Sequence, residues 1–352
     1  MRIKKLKEFM RENGCDAFFV SSYENWRYFS GFTGSNAYLL VTEDKQVLVT
    51  DQRYTEQAEK QAQGFEIITH GLDPFKTLKE VFSRFDLQKV AFESRKITDF
   101  QLRNLKEQVP EVEWQPTVDV GKNLRAVKDE EEIKNLVKAV DIADETLEEL
   151  LPFIKPGMTE KAVAVELEYL LAKLGSEPPA FGTIVASGVR SSLPHGKPTD
   201  KEIEEGDFIV IDFAGRWGGY MSDITRTIWV GEPRPDMVEI FRLVEKAIDT
   251  AIAGVKPGVD CNYLDKLARD VFEEADLEQY SLRGLGHGVG LEIHEYPRVV
   301  MDSKEIIQEN MVFTVEPGLY LPEKGGVRLE DIVRVTANGC EILTRSPRVI
   351  RV

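Results

Sequence analysis

A pattern of residues that occurs twice constrains the fold of this chain more than any other feature of its sequence. The segment Ile154–Met158 resembles Val255–Val259, 101 residues later, and each lies between two predicted helices. The apolar segments Asp207–Asp212 and Met311–Glu316 also resemble each other, at an offset of 104 residues, and each ends in a carboxylate. We therefore predict two similar halves, each a helix pair followed by strands, packed about a pseudo-twofold axis.

Apolar and amphipathic segments alternate in residues 1–120, which predicts a smaller N-terminal α/β domain. The predicted elements are helices at 2–13, 54–63 and 99–108 and strands at 17–20, 37–41, 46–50 and 89–93. Beyond a boundary near residues 118–127, Asp129 and Glu132 have the spacing of a capping box, and a long amphipathic helix follows to about Leu151. We expect an α+β protein with domains at 1–120 and 123–352.

Composition argues against several classes of partner. The 352 residues include 45 Lys and Arg against 61 Asp and Glu, and the net charge of −16 disfavours binding to nucleic acid or anionic membranes. No uncharged apolar run reaches the roughly 18 residues of a membrane span, and no secretory signal pattern is present. The three cysteines, Cys15, Cys261 and Cys340, are isolated, which predicts a cytoplasmic protein without disulfides.

Two acidic residues interrupt apolar strand patterns in the first half. Asp212 follows the run Phe208–Ile211, and Asp223 precedes the alternating run Ile224–Val230, beyond a glycine-rich turn. This pattern predicts a hairpin in which Asp212 and Asp223 lie nearly opposite each other. Facing like charges destabilise a sheet, and burying them unpaired costs on the order of several kcal/mol each. A cation bound between them removes both costs.

The second half repeats this arrangement. Glu316 ends one apolar strand pattern, and Glu330 lies within a predicted strand at residues 326–335. Alternation along that strand places Glu330 on the same face as Arg328 and opposite to Asp331. Each acid alone is typical of a surface salt bridge, but four acids in hairpin-like pairs indicate a buried cation site.

Three of the four histidines lie in glycine- or proline-containing loops of the same region, namely His195, His287 and His294. The fourth, His70, is interpreted as a loop residue without a role. His287 lies between glycines, whose conformational freedom permits the tight loop that brings an imidazole close to a metal. One imidazole with four carboxylates suits Mn²⁺ or Co²⁺, and two such cations about 3.5–4 Å apart activate water for hydrolysis.

These residues resemble the site of a known family. In type and order they are similar to the five metal ligands of the pita-bread metallopeptidases, which include methionine aminopeptidase, aminopeptidase P and prolidase; the matching residues are Asp212, Asp223, His287, Glu316 and Glu330. The resemblance covers about residues 123–352 and implies a pseudo-twofold pita-bread (creatinase/aminopeptidase) domain. It also implies a hydrolase with two divalent metal ions, with manganese expected and cobalt or zinc as alternatives.

The resemblance implies a role for each ligand. Asp212 would be a terminal ligand of one metal, and Asp223 a bridging ligand. His287 and Glu316 would bind the second metal, and Glu330 would bridge both. Glu316 would also accept the proton of the attacking water and pass it to the leaving proline nitrogen.

Four further roles come from the proline-specific branch of the family. His195 and His294 match two histidines that bind the substrate and stabilise its tetrahedral intermediate. Arg328 matches an arginine that steadies the bridging carboxylates. Arg298, four residues after His294, resembles an arginine of some archaeal prolidases that binds the substrate carboxylate. The predicted catalytic residues are His195, His294, Glu316 and Arg328, and the predicted substrate-binding residues are His195, His294 and Arg298.

The N-terminal domain distinguishes this chain from methionine aminopeptidases. Residues 31–35 and 50–54 resemble stretches of aminopeptidase P, which favours an Xaa-Pro aminopeptidase acting on peptides with proline in the second position. Arg298 favours the alternative, an Xaa-Pro dipeptidase (prolidase). The family resemblance further implies a homodimer.

Two more distant alternatives stay open. A metal-free relative such as creatinase shares the fold, but this chain has all five ligand types. A non-catalytic binding module on the same fold usually loses ligands or catalytic histidines, and this chain has lost neither.

Overall fold

Helices and strands occur throughout the computed structural model, which describes all residues from Met1 to Val352. The helices are α1 Arg2–Glu12, α2 Tyr23–Ser30, α3 Thr55–Gln61, α4 Pro74–Phe82, α5 Asp99–Gln108, α6 Val120–Ala126, α7 Glu130–Leu150, α8 Glu160–Lys173, α9 Pro235–Ala253 and α10 Cys261–Glu273. The strands of the first unit are β1 Ala17–Val20, β2 Ala37–Thr42, β3 Gln46–Asp51, β4 Glu66–His70, β5 Lys89–Glu93 and β6 Glu113–Thr117.

The remaining strands fall in the two halves of the second unit. Those before α9 are β7 Ile184–Ser187, β8 Phe208–Phe213, β9 Arg216–Trp217, β10 Tyr220–Met221 and β11 Ile224–Trp229. Those after α10 are β12 Gly286–Gly288, β13 Glu295–Val299, β14 Val312–Val315, β15 Gly318–Leu321, β16 Gly325–Arg328, β17 Asp331–Val335 and β18 Cys340–Ile342. None of the helices combines the length and apolar character required to cross a bilayer.

The chain divides into two compact units, Met1–Arg125 and Ala126–Val352. The first contains a six-stranded mixed sheet in the order β4-β3-β2-β1-β5-β6. Its buried strands β1 and β5 coincide with the predicted ones, because each contains a short apolar run, Ala17–Val20 in β1 and Val90–Phe92 in β5. The edge strands β4 and β6 were not predicted, because both are partly exposed, and β6 contains Pro116, which is tolerated at a sheet edge.

The second unit has the repeated organisation that the sequence predicts. Helices α7 and α8 precede the antiparallel sheet β11-β8-β7, and helices α9 and α10 precede the sheet β13-β12-β14-β17-β18. One apolar core packs α7 and α8 against β7, β8 and β11, and another packs α9 and α10 against strands of the second half. Each helix pair thus covers the sheet that follows it in the chain.

The starts of α8 and α10 form the same local structure. Gly157 N donates to Ile203 O at 2.8 Å, and Gly258 N donates to Ile307 O at 2.9 Å. Both glycines have positive φ, 85° and 91°, a region that side chains rarely adopt. The side chains of Thr159 and Asp260 then cap their helices. The capping box of Asp129 and Glu132 at the start of α7 is also confirmed.

The two halves are joined where β11 meets residues 328–331. Glu330 N donates to Thr225 O at 3.1 Å, and Arg328 N donates to Thr227 Oγ1 at 3.0 Å. Thr227 Oγ1 in turn donates to Arg328 O at 2.8 Å. These bonds join a strand of the first half to the segment of the second half that contains Glu330.

The buried Arg226 strengthens this junction and attaches the C-terminal segment to it. Its Nη2 lies 2.8 Å from Asp331 Oδ1, with 1% and 3% of the two side chains exposed. The same guanidinium donates to the carbonyl oxygens of Glu330, Ser346 and Pro347. A buried charge is tolerated only when it is paired and hydrogen-bonded, and every polar group of Arg226 is used in this way.

Candidate metal centre

Asp212 and Asp223 come from the two sides of an extended loop in the first half. Asp212 is the fifth residue of β8, and its cross-strand partner is Thr225 on β11. Asp223 precedes β11, so the prediction that the two aspartates face each other was wrong by two residues. The reason is that the short ribbon of β9 and β10, closed by Gly218 and Gly219 with positive φ, replaces a tight hairpin.

Glu330 approaches these aspartates from the second half. The predicted continuous strand 326–335 is broken, because β16 ends at Arg328 and β17 begins at Asp331. Arg328 and Glu330 nevertheless point to the same side and Asp331 to the other, as predicted. Arg328 and Glu330 both contact Thr225 Oγ1, at 3.0 and 2.7 Å, whereas Asp331 points to Arg226. The break leaves Glu330 free to turn its carboxylate toward the first half.

Three carboxylates meet at the centre of the unit. One carboxylate oxygen each from Asp212, Asp223 and Glu330 lies within 4.8 Å of the other two. Asp212 Oδ1, Asp223 Oδ1 and Glu330 Oε1 are buried and have no hydrogen-bond partner. A buried polar atom without a partner is costly, and three such acceptors side by side are explained by a shared cation.

His287 and Glu316 complete the cluster. His287 Nε2 lies 3.2 Å from Glu316 Oε1 and 3.7 Å from Asp223 Oδ2. His287 Nδ1 donates to the carbonyl oxygen of Gly288 at 3.1 Å, which leaves the lone pair of the neutral ring on Nε2. Two acceptors, Nε2 and Oε1, then face each other, and they need a proton or a metal ion between them. The imidazole therefore has the orientation of a metal ligand.

The pKa values reflect this crowding of negative charge. Burial raises the pKa of Asp212, and burial together with the charge of Glu330 raises the pKa of Asp223 well above its usual value. Burial and the charge of Glu316 do the same to the pKa of Glu330. Although burial opposes its ionisation, the hydrogen bond with His287 lowers the pKa of Glu316.

The charges around the cluster do not balance without cations. Four carboxylates face one guanidinium, that of Arg328, and one imidazole. Arg328 Nη2 lies 2.5 Å from Asp212 Oδ2, so its charge is committed to one of the four acids. Oxygen-rich donor sets with one imidazole and no thiolate bind hard divalent cations. The residues present therefore fit two divalent metal ions.

Three further residues, none of them predicted from the sequence, hold the clustered carboxylates and Arg328 in place. Thr225 Oγ1 donates to Glu330 Oε2 and accepts from Arg328 Nε, and Thr314 Oγ1 donates to Glu316 Oε1 at 3.0 Å. Arg328 Nη1 donates to the hydroxyl of the buried Tyr320 at 2.7 Å. Alternation along the strands could have identified Thr225 and Thr314, each two residues from a ligand on the same face.

The three predicted substrate-binding residues lie in different surroundings. The exposed His294 packs its ring edge against His287, with ring centroids 4.2 Å apart. The exposed His195 follows Pro194, whose carbonyl accepts from Arg328 Nη1 at 3.0 Å. Arg298 is paired with Glu305 at 3.4 Å, and 62% of its side chain is exposed. The structure thus brings His294 against His287 and binds Pro194, the residue before His195, to Arg328, but Arg298 contacts none of the clustered residues.

Known proteins resemble this chain along its whole length. Residues 134–337 match the model of metallopeptidase family M24, and residues 2–127 match the creatinase/prolidase N-terminal domain. An Xaa-Pro dipeptidase of Pyrococcus furiosus is 38% identical over 348 residues, which are 99% of this chain and 98% of that protein.

Solved structures agree with these matches. An Xaa-Pro dipeptidase from Bacillus anthracis has a TM-score of 0.97 at 39% identity, over 100% of this chain and 99% of that one. An X-Pro aminopeptidase from Thermotoga maritima has a TM-score of 0.93 at 39% identity, over 100% of both chains. The predicted α+β fold, with a pita-bread domain after a creatinase-type N-terminal domain, is confirmed.

The fold and the carboxylate cluster define a hydrolase that depends on divalent metals. The chain belongs to metallopeptidase family M24, as the match over residues 134–337 and the full-length relatives establish. The prediction of a metallopeptidase is therefore confirmed, and the metal-free and non-catalytic alternatives lose their basis.

Binding of two dications should stabilise the chain, because it relieves the repulsion between buried carboxylates. At a free concentration of about 100 times Kd, one bound ion contributes about 2.7 kcal/mol, which corresponds to a rise in melting temperature of about 5–10 °C. Calorimetry with Mn²⁺ and with a chelator, together with elemental analysis, should show this rise and two ions per chain.

The variant Glu330→Gln should bind fewer ions and show a smaller rise, because it loses a shared ligand. Asp51→Asn is the matched control, since Asp51 is a carboxylate of the N-terminal unit paired with Arg53. It should leave the metal-dependent rise unchanged. A wild-type melting temperature that does not respond to any dication would refute the metal assignment.

Proposed function

We propose that this chain is an Xaa-Pro dipeptidase that uses two divalent metal ions. The observation that carries the proposal is the convergence of Asp212, Asp223 and Glu330, each with an oxygen that lacks a partner. The sequence analysis favoured an Xaa-Pro aminopeptidase, with the dipeptidase as its alternative. The dipeptidase now has the stronger support, because relatives of that name from two Pyrococcus species are each 38% identical over 99% of this chain.

The five clustered residues would share the two metal ions. Asp212 and His287 would each bind one ion as terminal ligands, and Glu316 would bind the same ion as His287. Asp223 and Glu330 would help to hold both ions. Manganese as the native metal, a homodimeric assembly, a cytoplasmic location and the domain limits 1–120 and 123–352 stay predictions from the sequence.

The metal ions would supply an activated water and polarise the scissile carbonyl. The water oxygen attacks the carbonyl carbon of the Xaa residue, and the bond from that carbon to the proline nitrogen then breaks. Glu316 receives a proton of the water and delivers it to the departing nitrogen. Its carboxylate is oriented for this transfer by His287 and Thr314, which both contact Oε1.

Two histidines and an arginine would assist the reaction. His294, packed against His287, and His195, which follows the Arg328-bound Pro194, would donate hydrogen bonds to the oxygen on which negative charge develops. Arg328 keeps Asp212 in place through a buried ion pair and does not need to touch the substrate. Arg298 would bind the free carboxylate of the proline, after exchanging its exposed contact with Glu305 for the substrate.

A competition assay tests the substrate. The Mn²⁺-loaded enzyme is given an equimolar mixture of an Xaa-Pro dipeptide, an Xaa-Pro-Xaa tripeptide and a Met-Gly tripeptide, and the products are measured by mass spectrometry. We expect cleavage of the dipeptide in preference to both tripeptides. Preferred cleavage of the proline tripeptide would restore the aminopeptidase interpretation, and cleavage of the Met-Gly peptide alone would refute proline specificity.

Arg298→Ala provides the matched arm of this assay. It should raise KM for the dipeptide by about tenfold or more, because a charge-assisted hydrogen bond of about 1.5–3 kcal/mol is lost. Arg345→Ala is the control, since Arg345 is a similarly exposed arginine, 66% of its side chain being accessible, and is paired with Asp141. It should leave KM unchanged.

Glu316→Gln tests the proton transfer. The amide cannot accept the proton of the water, so kcat should fall by at least about 100-fold even at saturating Mn²⁺. Elemental analysis of the same sample separates loss of the proton acceptor from loss of metal. A variant that retains two ions and near-normal turnover would exclude Glu316 as the proton acceptor.

A further inference from the structure

A fully buried carboxylate outside the metal cluster binds both ends of the loop that contains His195. Glu160, the first residue of α8, has 0% exposure. Its Oε1 accepts from Ser187 N at 2.7 Å and Ser187 Oγ at 3.0 Å. Its Oε2 accepts from Thr199 N at 3.0 Å, Thr199 Oγ1 at 2.7 Å and Arg190 Nη1. One side chain therefore joins the two ends of the segment 187–199.

The middle of this loop is held at the metal centre. Pro194 O accepts from Arg328 Nη1, and Arg328 also binds Asp212. Ser191 Oγ accepts from Gly326 N at 2.7 Å, which ties the loop to β16. His195 is the first of the four residues between Pro194 and Thr199. Its imidazole is exposed, and these contacts fix the backbone on both sides of it.

The internal repeat shows that the fold itself does not require this carboxylate. The residue that follows the helix cap is Glu160 in the first half and Cys261 in the second. The backbone contacts are the same in both, since Glu160 N donates to Lys201 O at 3.1 Å and Cys261 N donates to Glu305 O at 2.9 Å. The second half forms the same helix start with a cysteine. The five hydrogen bonds of Glu160 therefore hold the loop in place and are not required to form the helix start.

We propose that Glu160 is a positioning residue for His195: it closes the loop 187–199 so that the imidazole stays beside the carbonyl under attack. The inference rests on the substrate-binding role of His195 in the proposed function. Glu160 touches neither substrate nor metal ligand, and it acts only through the loop. In Glu160→Gln, one acceptor oxygen becomes an NH₂ group that faces the donors of Ser187 or of Thr199 and Arg190, so one end of the loop is released.

A double-mutant cycle tests this role. In Mn²⁺-loaded enzyme with an Xaa-Pro dipeptide, Glu160→Gln should lower kcat by about 10- to 100-fold, the cost of a displacement of about 1 Å in a catalytic group. The content of two metal ions should not change. In the His195→Ala background, the same substitution should lower kcat by less than about twofold, because the two residues act as one unit. Equal factors in both backgrounds would overturn the proposal.

The matched control is Asp144→Asn. Asp144 is a buried carboxylate on α7 that accepts from Arg345 N, Ser346 N and Ser346 Oγ at 2.6–2.9 Å, so it fixes a segment outside the loop 187–199. It should lower the melting temperature without lowering kcat. If Asp144→Asn lowers kcat as much as Glu160→Gln does, the effect is general destabilisation and the proposal fails. If Glu160→Gln does not fold, Glu160→Asp is used in its place. Its shorter side chain can bind only one end of the loop, so the expected changes in kcat are the same.

A labelling experiment separates this inference from the proposed function. The rate at which diethyl pyrocarbonate modifies His195, followed by peptide mass spectrometry, should change several-fold in Glu160→Gln, and the rate at the exposed His294 should not. This readout does not require a substrate. If the wild type cleaves no Xaa-Pro dipeptide but the His195 rate still changes, the proposed function fails and the positioning of His195 stands. An unchanged His195 rate overturns the inference.

Discussion

The concentration of negative charge at the centre of the second unit is the constraint on which the rest of that unit depends. Asp212, Asp223 and Glu330 are buried within one small volume, and Glu316 lies beside them. Side chains alone do not neutralise this set, because the one guanidinium that contacts it, that of Arg328, is paired with Asp212. The protein therefore has to hold mutually repelling groups in a fixed geometry until cations bind. Rigid strands, threonine hydroxyls and the buried Arg328 supply that rigidity.

Residues from both halves hold these mutually repelling groups in place. Strand β11 provides Thr225, which binds Glu330 of the other half, and Arg328 of the second half binds Asp212 of the first. Arg226 continues the junction to Asp331 and the C-terminal segment. Because Glu330 and Asp212 are each held by a group from the opposite half, the distances within the cluster depend on how the halves are joined. The pseudo-twofold repeat thus sets the spacing of the site as well as the shape of the fold.

Much of this arrangement was predictable from the sequence. Helix caps at Asp129, Thr159 and Asp260, and apolar strands such as β1, β5 and β8, follow from local patterns that no tertiary contact overrides. The clustered carboxylates were predictable because acids in apolar strands need a partner. The register of the strands was not predictable, because the ribbon of β9 and β10 places Thr225, and not Asp223, opposite Asp212.

Contacts between residues that are far apart in the chain could also not be predicted from the sequence. Glu160 looks like an ordinary acid in the first turn of a helix, where it favours the positive end of the dipole. Only the structure shows that Ser187 and Thr199, 27 and 39 residues away, donate to it. Arg298 is the opposite case. Its resemblance to an arginine of archaeal prolidases suggested that it binds the substrate, but in the structure its exposed side chain is paired with Glu305.

The distribution of ligands between the halves has a consequence for when the protein becomes a peptidase during its own folding. The first half contributes two aspartates and no imidazole ligand, and the second half contributes His287, Glu316 and Glu330. Neither half alone holds the complete set. The contacts between β11 and residues 328–331 must form before the five side chains meet. A chain in which only one half has folded therefore lacks the complete cluster. The site is assembled only once those contacts have formed.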